Sequence, residues 1–105
     1  MTTDANIDAM VRMLVANWNI ERIVLFGSRA RGEQDELSDY DLLLVVPDSA
    51  YYRGIAVDIR RSLASIPVAK DLVVAKRSTI DRQGSVSGTI YCEALQEGVT
   101  LYAAA

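Results

Sequence analysis

The residues best equipped for chemistry fall in one stretch: Gly27-Ser28-Arg29-Ala30-Arg31-Gly32, then a polar connection, then Ser38-Asp39-Tyr40-Asp41. A glycine, a serine hydroxyl and two arginines in one turn supply what holds phosphate, namely close backbone N–H groups, a hydroxyl and charge-assisted donors. Alternate residues on a short helix diverge, so only one of Arg29 and Arg31 is expected to face such a site. Asp39 and Asp41 are two residues apart; in an extended strand they project to one face, while Tyr40 and Leu42 point to the other. Two unpaired carboxylates ~6 to 7 Å apart, at an effective dielectric of about 20, repel by about 2 to 3 kcal/mol. Such a pair at the edge of an apolar core needs a cation. The chain has no histidine and a single cysteine, Cys92, so carboxylates are what remains for acid–base and metal work. An oxygen-only ligand set favours magnesium or manganese.

The elements that must position these groups are legible on either side. Ile23-Val24-Leu25-Phe26 precedes the turn and Leu42-Leu43-Leu44-Val45-Val46 follows the carboxylates, both apolar runs of strand length. Val68 to Ala75 reads as a third strand, with Lys70-Asp71 near its start. A site that collects Gly27-Ser28 from the exit of the first strand and Asp39 from the entry of the second requires those strands to be antiparallel. Asp71 enters the third strand as Asp39 and Asp41 enter the second, so those two run parallel and need a helical crossover, which residues 49–66 can supply. The expectation is an α/β fold, a mixed β-sheet covered by helices.

Thr3 or Asp4 can cap a first helix whose Ile7, Met10, Val11, Leu14 and Trp18 share one face. Ser49 can cap the crossover helix, with Tyr52, Ile55, Ile59, Leu63 and Ile66 inward and Arg53, Arg60 and Arg61 solvated; Tyr51 and Tyr52 read as core edge. A weak helix is expected over Arg77 to Asp81 and another over Thr89 to Gln96, with Ile90, Ala94 and Leu95 inward and Gly98 ending it. Glu33, Asp35 and Glu36 read as solvated loop charges, with Leu37 their lone apolar neighbour. Two readings stand for Val99 to Tyr102: an exposed interface patch, or a short final strand packed on the sheet.

Composition narrows the function classes. The 105 residues are expected to form one domain, 1–105, with 50% hydrophobic and 24% charged residues, an ordinary globular balance. A formal charge of -3 argues against a general nucleic-acid binder. The longest apolar run, Leu42 to Pro47, is far short of a membrane span, and the N-terminus lacks a signal-peptide pattern, so a cytoplasmic protein is expected. Cys92 alone can form no internal disulfide and reads as filler on a helix.

Gly27-Ser28, ten residues, then Asp39-x-Asp41 resembles the signature of the DNA polymerase β-like nucleotidyltransferase superfamily. The fuller strings GSRARG and SDYDLLL, with Lys70-Asp71-Leu72-Val73-Val74 and Glu97-Gly98-Val99-Thr100-Leu101-Tyr102, resemble the minimal nucleotidyltransferases (MNT), the antitoxins of HEPN/MNT toxin–antitoxin pairs. The resemblance implies a polymerase β-like palm and two-metal nucleotidyl transfer with Mg2+. Asp39 and Asp41 would bind both metals. Asp71 would bind the catalytic metal and take or orient the nucleophile's proton. Gly27, Ser28, Arg29 and Arg31 would bind the nucleotide. On the residues alone, an ion pair of Asp71 with Lys70 or Lys76 at a strand edge is nearly as good a reading. The resemblance further implies ATP as substrate and a HEPN ribonuclease toxin as partner, with AMP transferred to a hydroxyl, a tyrosine by preference. Two other classes share the signature: a catalytically silent antitoxin that masks its partner, and an antibiotic-modifying nucleotidyltransferase. The latter usually carries extra segments to hold its acceptor, and no acceptor domain is visible in this chain.

Overall fold

In the computed structural model, residues 4–33, 35 and 38–104 are described. The order of elements is α1 (Ala5–Asn17), β1 (Arg22–Phe26), α2 (Ser28–Arg31), β2 (Tyr40–Val46), a 3-10 turn (Asp48–Ala50), α3 (Ile55–Ser62), β3 (Lys70–Lys76), α4 (Arg77–Gln83), α5 (Ile90–Glu97) and β4 (Val99–Ala103). The strands form one sheet in the order β3-β2-β1-β4. β1 is antiparallel to β2 and to β4, and β2 is parallel to β3. The mixed sheet expected from the site geometry is the one observed.

β2 is central and buried from Leu42 to Val46, which is why it reads as a continuous apolar run rather than an alternation. Its alternate residues feed two cores. Tyr40, Leu42, Leu44 and Val46 join Ile7, Met10 and Leu14 of α1 and Ile55 and Ile59 of α3 on one face. Leu43 and Val45 join Val24, Phe26, Ala75 and Ala94 of α5 on the other. Each fully buried aliphatic side chain contributes about 1.5 to 3 kcal/mol. Asp41, two before Leu43, lies on the α5 side of the sheet.

Asp4 caps α1: its Oδ1 accepts from the backbone N–H groups of Asn6 at 2.8 Å and Ile7 at 3.2 Å. Thr3, the alternative cap, lies outside the described residues, as do Glu36 and Leu37. Trp18 falls just beyond α1, where its indole N–H donates to Ser62 Oγ on α3 at 3.3 Å.

Three expectations are corrected. The crossover helix does not start at Ser49: that residue lies in the 3-10 turn, the chain then runs extended at Tyr51, and α3 begins only after Gly54, whose φ of 93° is open to glycine. Tyr52 consequently faces solvent, its hydroxyl donating to Asp58 Oδ2 at 2.7 Å. Ile90, expected inward, is exposed, because it opens α5 immediately after the Thr89 cap; Ala94, with Tyr91 and Leu95 packed beside it, fills the inward face. Gly98 does end α5, but with φ -83° rather than in a left-handed turn. A Cβ there would collide with the Ala94 carbonyl and Val24, so this glycine lets β4 turn in tightly beside β1. Val99 to Tyr102 is the final strand of the second reading, with Val99 exposed and Leu101 and Tyr102 half-buried. Among the described residues no helix is long and apolar enough to cross a membrane.

Candidate active site

The exit of β1 and the entries of β2 and β3 meet at one end of the sheet. Asp41 sits opposite Phe26 on β1 and, in the parallel register, opposite Asp71 on β3. Neighbouring strands lie about 4.8 Å apart, so the two carboxylates share a rung of the sheet. Asp39 stands exposed one residue before β2. Burial pushes the Asp41 carboxyl above its ordinary value; the charges of Asp71 and then Asp39 push it further, Arg31 pulls it down, and Glu93 on α5 adds to the rise. The three aspartates picked from the sequence therefore face one another electrostatically.

The Gly27-Ser28 turn closes over this group. Gly27 has φ 75° and ψ -156°, and a Cβ at that position would collide with the Asp41 carboxylate oxygen Oδ2. A bare backbone is thus required twice, by conformation and by contact. The Gly27 carbonyl accepts from the N–H groups of Ala30 at 3.1 Å and Arg31 at 3.2 Å, which leaves the first N–H groups of the turn open to a ligand.

The two arginines diverge as their spacing requires. Arg31 is exposed and pairs with Glu33 at 2.8 Å and Glu97 of α5 at 3.6 Å, on the side where its charge reaches Asp41. Arg29 turns to the opposite side, where its guanidinium is engaged by the protein itself. Nε donates to the Ser38 carbonyl at 3.0 Å, and the group lies 3.8 Å from the centroid of the Tyr40 ring. A phosphate contact by Arg29 would have to displace these partners. Asp71 is bonded by neither lysine considered for it: Lys70 donates instead to the carbonyls of Ile66 and Val68, each at 2.9 Å, and Lys76 lies 5.2 Å from the Tyr51 ring centroid.

Glu93 was not legible as a neighbour of the site. It lies over fifty residues from Asp41 on an ordinary amphipathic helix, and only the packing of α5 across the sheet brings them together.

The donor set suits a hard divalent cation: carboxylates only, mutually repelling, beside a turn of open N–H groups. Among the described residues, however, no group of three or more His, Cys, Asp or Glu side chains is arranged to hold a metal ion. Magnesium does not need such a cage, since it commonly takes one or two carboxylates and completes its shell with substrate phosphates and water. The residues present fit that mode.

A mixed sheet with a glycine-serine turn over paired aspartates defines a nucleotidyltransferase palm. The family model for the nucleotidyltransferase domain matches residues 7–91, and the chain belongs to that family. Solved structures agree in fold. A chain of a toxin–antitoxin complex determined with AMP-PNP matches with a TM-score of 0.67 and 25% identity, over 92% of this chain and 73% of that one. A mutant of the toxin–antitoxin pair MntA-HpeT matches with a TM-score of 0.67 and 26% identity, over 96% and 75%. A complex of a tri-AMPylated Shewanella oneidensis HEPN toxin with MNT antitoxin matches at 0.61 and 22% identity, over 94% and 71%. Comparison with the curated proteins gave no match.

Proposed function

We propose that residues 1–105 form a single minimal nucleotidyltransferase domain that acts as a cytoplasmic antitoxin, transferring AMP from ATP to a tyrosine hydroxyl of a HEPN ribonuclease toxin. The observation that carries the reading is the Asp41 carboxyl, raised by burial and by Asp71 and Asp39, and touching the Gly27 turn. Similarity to toxin–antitoxin chains, one of them with AMP-PNP, supports the choice of partner and nucleotide. In this reading Asp39, Asp41 and Asp71 hold Mg2+, two ions in the full assembly. Bound there, Mg2+ would supply charge neutralisation for the pyrophosphate leaving group and a lowered pKa for the attacking hydroxyl. Gly27 and Ser28 offer N–H groups and a hydroxyl to the β- and γ-phosphates. Arg31 exchanges its solvent-screened surface partners for phosphate oxygens. The toxin hydroxyl oxygen bonds to the α-phosphorus, the bond to the bridging oxygen breaks, pyrophosphate departs, and Asp71 takes or orients the hydroxyl proton.

One second reading stands beside it, an antitoxin that masks its partner without transfer. A titration of toxin ribonuclease activity separates the two. Transfer predicts silencing by substoichiometric protein with ATP and Mg2+, persisting after the protein is removed, with the toxin heavier by AMP in intact-mass measurement. Inhibition that needs one copy per toxin, reverses on removal and leaves the mass unchanged would establish masking.

A further inference from the structure

We infer that Arg29 is a positioning residue, whose guanidinium, stacked on Tyr40 and bonded to the Ser38 carbonyl, fixes the backbone on both sides of Asp39 and so the presentation of that carboxylate to a divalent cation. The inference rests on the metal-site reading above.

Asp39 is exposed and precedes β2, so strand pairing does not hold it directly, as it holds Asp41 in β2 and Asp71 in β3. What flanks it is held. On its C-terminal side Tyr40 is 4% exposed, its N–H donates to the Ala69 carbonyl at 3.0 Å, and its hydroxyl donates to Asp4 Oδ2 at 2.8 Å. On its N-terminal side the Ser38 carbonyl receives Arg29 Nε at 3.0 Å, while Arg29 Nη2 donates to the Asp35 carbonyl at 3.4 Å. The same guanidinium lies over the Tyr40 ring, and its Nη1 is 4.0 Å from Asp4 Oδ2. One planar group thus joins the two residues that bracket Asp39 to the carboxylate that caps α1.

The side chain of Arg29 is 13% exposed, whereas that of Arg31 is 40% exposed and, among the described residues, pairs with the exposed carboxylates of Glu33 and Glu97. Releasing Arg29 to a phosphate would give up a buried stacked contact and two carbonyl bonds; releasing Arg31 gives up surface pairs. The division of labour follows: Arg31 serves the nucleotide and Arg29 the loop. Lysine cannot substitute, because stacking on Tyr40 while bonding two carbonyls needs the planar fork of arginine.

The test is Mn2+ binding to the nucleotide-free full chain, followed by electron paramagnetic resonance, in wild type, Arg29→Gln and Arg29→Lys. Groups that orient metal ligands typically contribute about 10- to 100-fold to metal affinity, and a loss in that range is expected for Arg29→Gln, with at least a threefold loss for Arg29→Lys. Calorimetry with a non-hydrolysable ATP analogue at saturating Mg2+ should show less than about a threefold change in either variant. Wild-type Mn2+ affinity in folded Arg29→Gln, or a loss confined to the nucleotide, would overturn the inference. If Arg29→Gln does not fold, Arg29→Lys decides by the same criteria. If the wild type binds no Mn2+ alone, the same comparison is read with the ATP analogue present, and no binding there either defeats the metal-site reading and this inference with it; wild-type binding matched by the variants defeats this inference alone.

Discussion

Asp41 is held where its charge is unwelcome, and that has a measurable sign. Its folded pKa lies above the ordinary 3.8, through burial first and then Asp71 and Asp39. The folded chain therefore keeps this proton longer than the unfolded chain, so stability falls as pH rises from about 3.8 through the folded value. Asp41→Asn should raise the melting temperature of the metal-free protein at pH 7, with the gain fading below about pH 4, in scanning calorimetry with EDTA. Mg2+ should stabilise the wild type and not the variant, and transfer should be abolished in both Asp41→Asn and Asp39→Asn. Asp71→Asn should lose the chemical step more than nucleotide binding, a split read from single-turnover rates against affinity. Gly27→Val tests the turn: with φ at 75° and the Asp41 carboxylate where Cβ would go, it should cost several-fold or more in ATP-analogue affinity by calorimetry, in a chain that circular dichroism shows to be folded. Full affinity in that chain would remove the turn from the nucleotide site.

At the scale of elements, α1 is fastened at its first turn, and Asp4 is the fastening. Burial alone would raise its carboxyl, but the Tyr40 hydroxyl, the Ile7 and Asn6 N–H groups and the Arg29 charge together leave it below its ordinary value. A depressed carboxyl contributes stability above its unfolded pKa and loses it as pH falls through the folded one. Asp4→Ala should therefore cost about 1 to 2 kcal/mol in urea unfolding at pH 7, and progressively less below about pH 4. Much of this scale was legible in sequence. The strands declared themselves as apolar runs, and demanding that Gly27, Asp39 and Asp71 share one end fixed their directions. The start of α3 was not legible, because Ser49 is a good local cap that the 3-10 turn uses up before the helix begins. Nor were the contacts of Arg29: its partners Asp4 and Tyr40 lie 25 and 11 residues away, and local spacing carries no sign of them.

For the whole molecule, the two edges of the sheet differ. β3 carries Lys70, Asp71 and Lys76, charges that discourage strand addition, while β4 is Val-Thr-Leu-Tyr-Ala. Val99 is 48% exposed on that uncharged edge, so Val99→Lys should change stability by less than about 0.5 kcal/mol in chemical unfolding. Weaker toxin capture by that folded variant would locate the partner at this edge; unchanged capture would place it elsewhere. The shared rung of Asp41 and Asp71 has a different bearing. Their separation is set by strand pairing, and the connection through residues 47–69 touches it only by delivering β3 in register. Engineered insertions at the exposed Tyr51–Gly54 bend should therefore leave the aspartates facing each other. A one-residue slip of β3 would instead bring Lys70 or Leu72 to that rung, so the site tolerates changes in the length of its connection but not in the alignment of its strands.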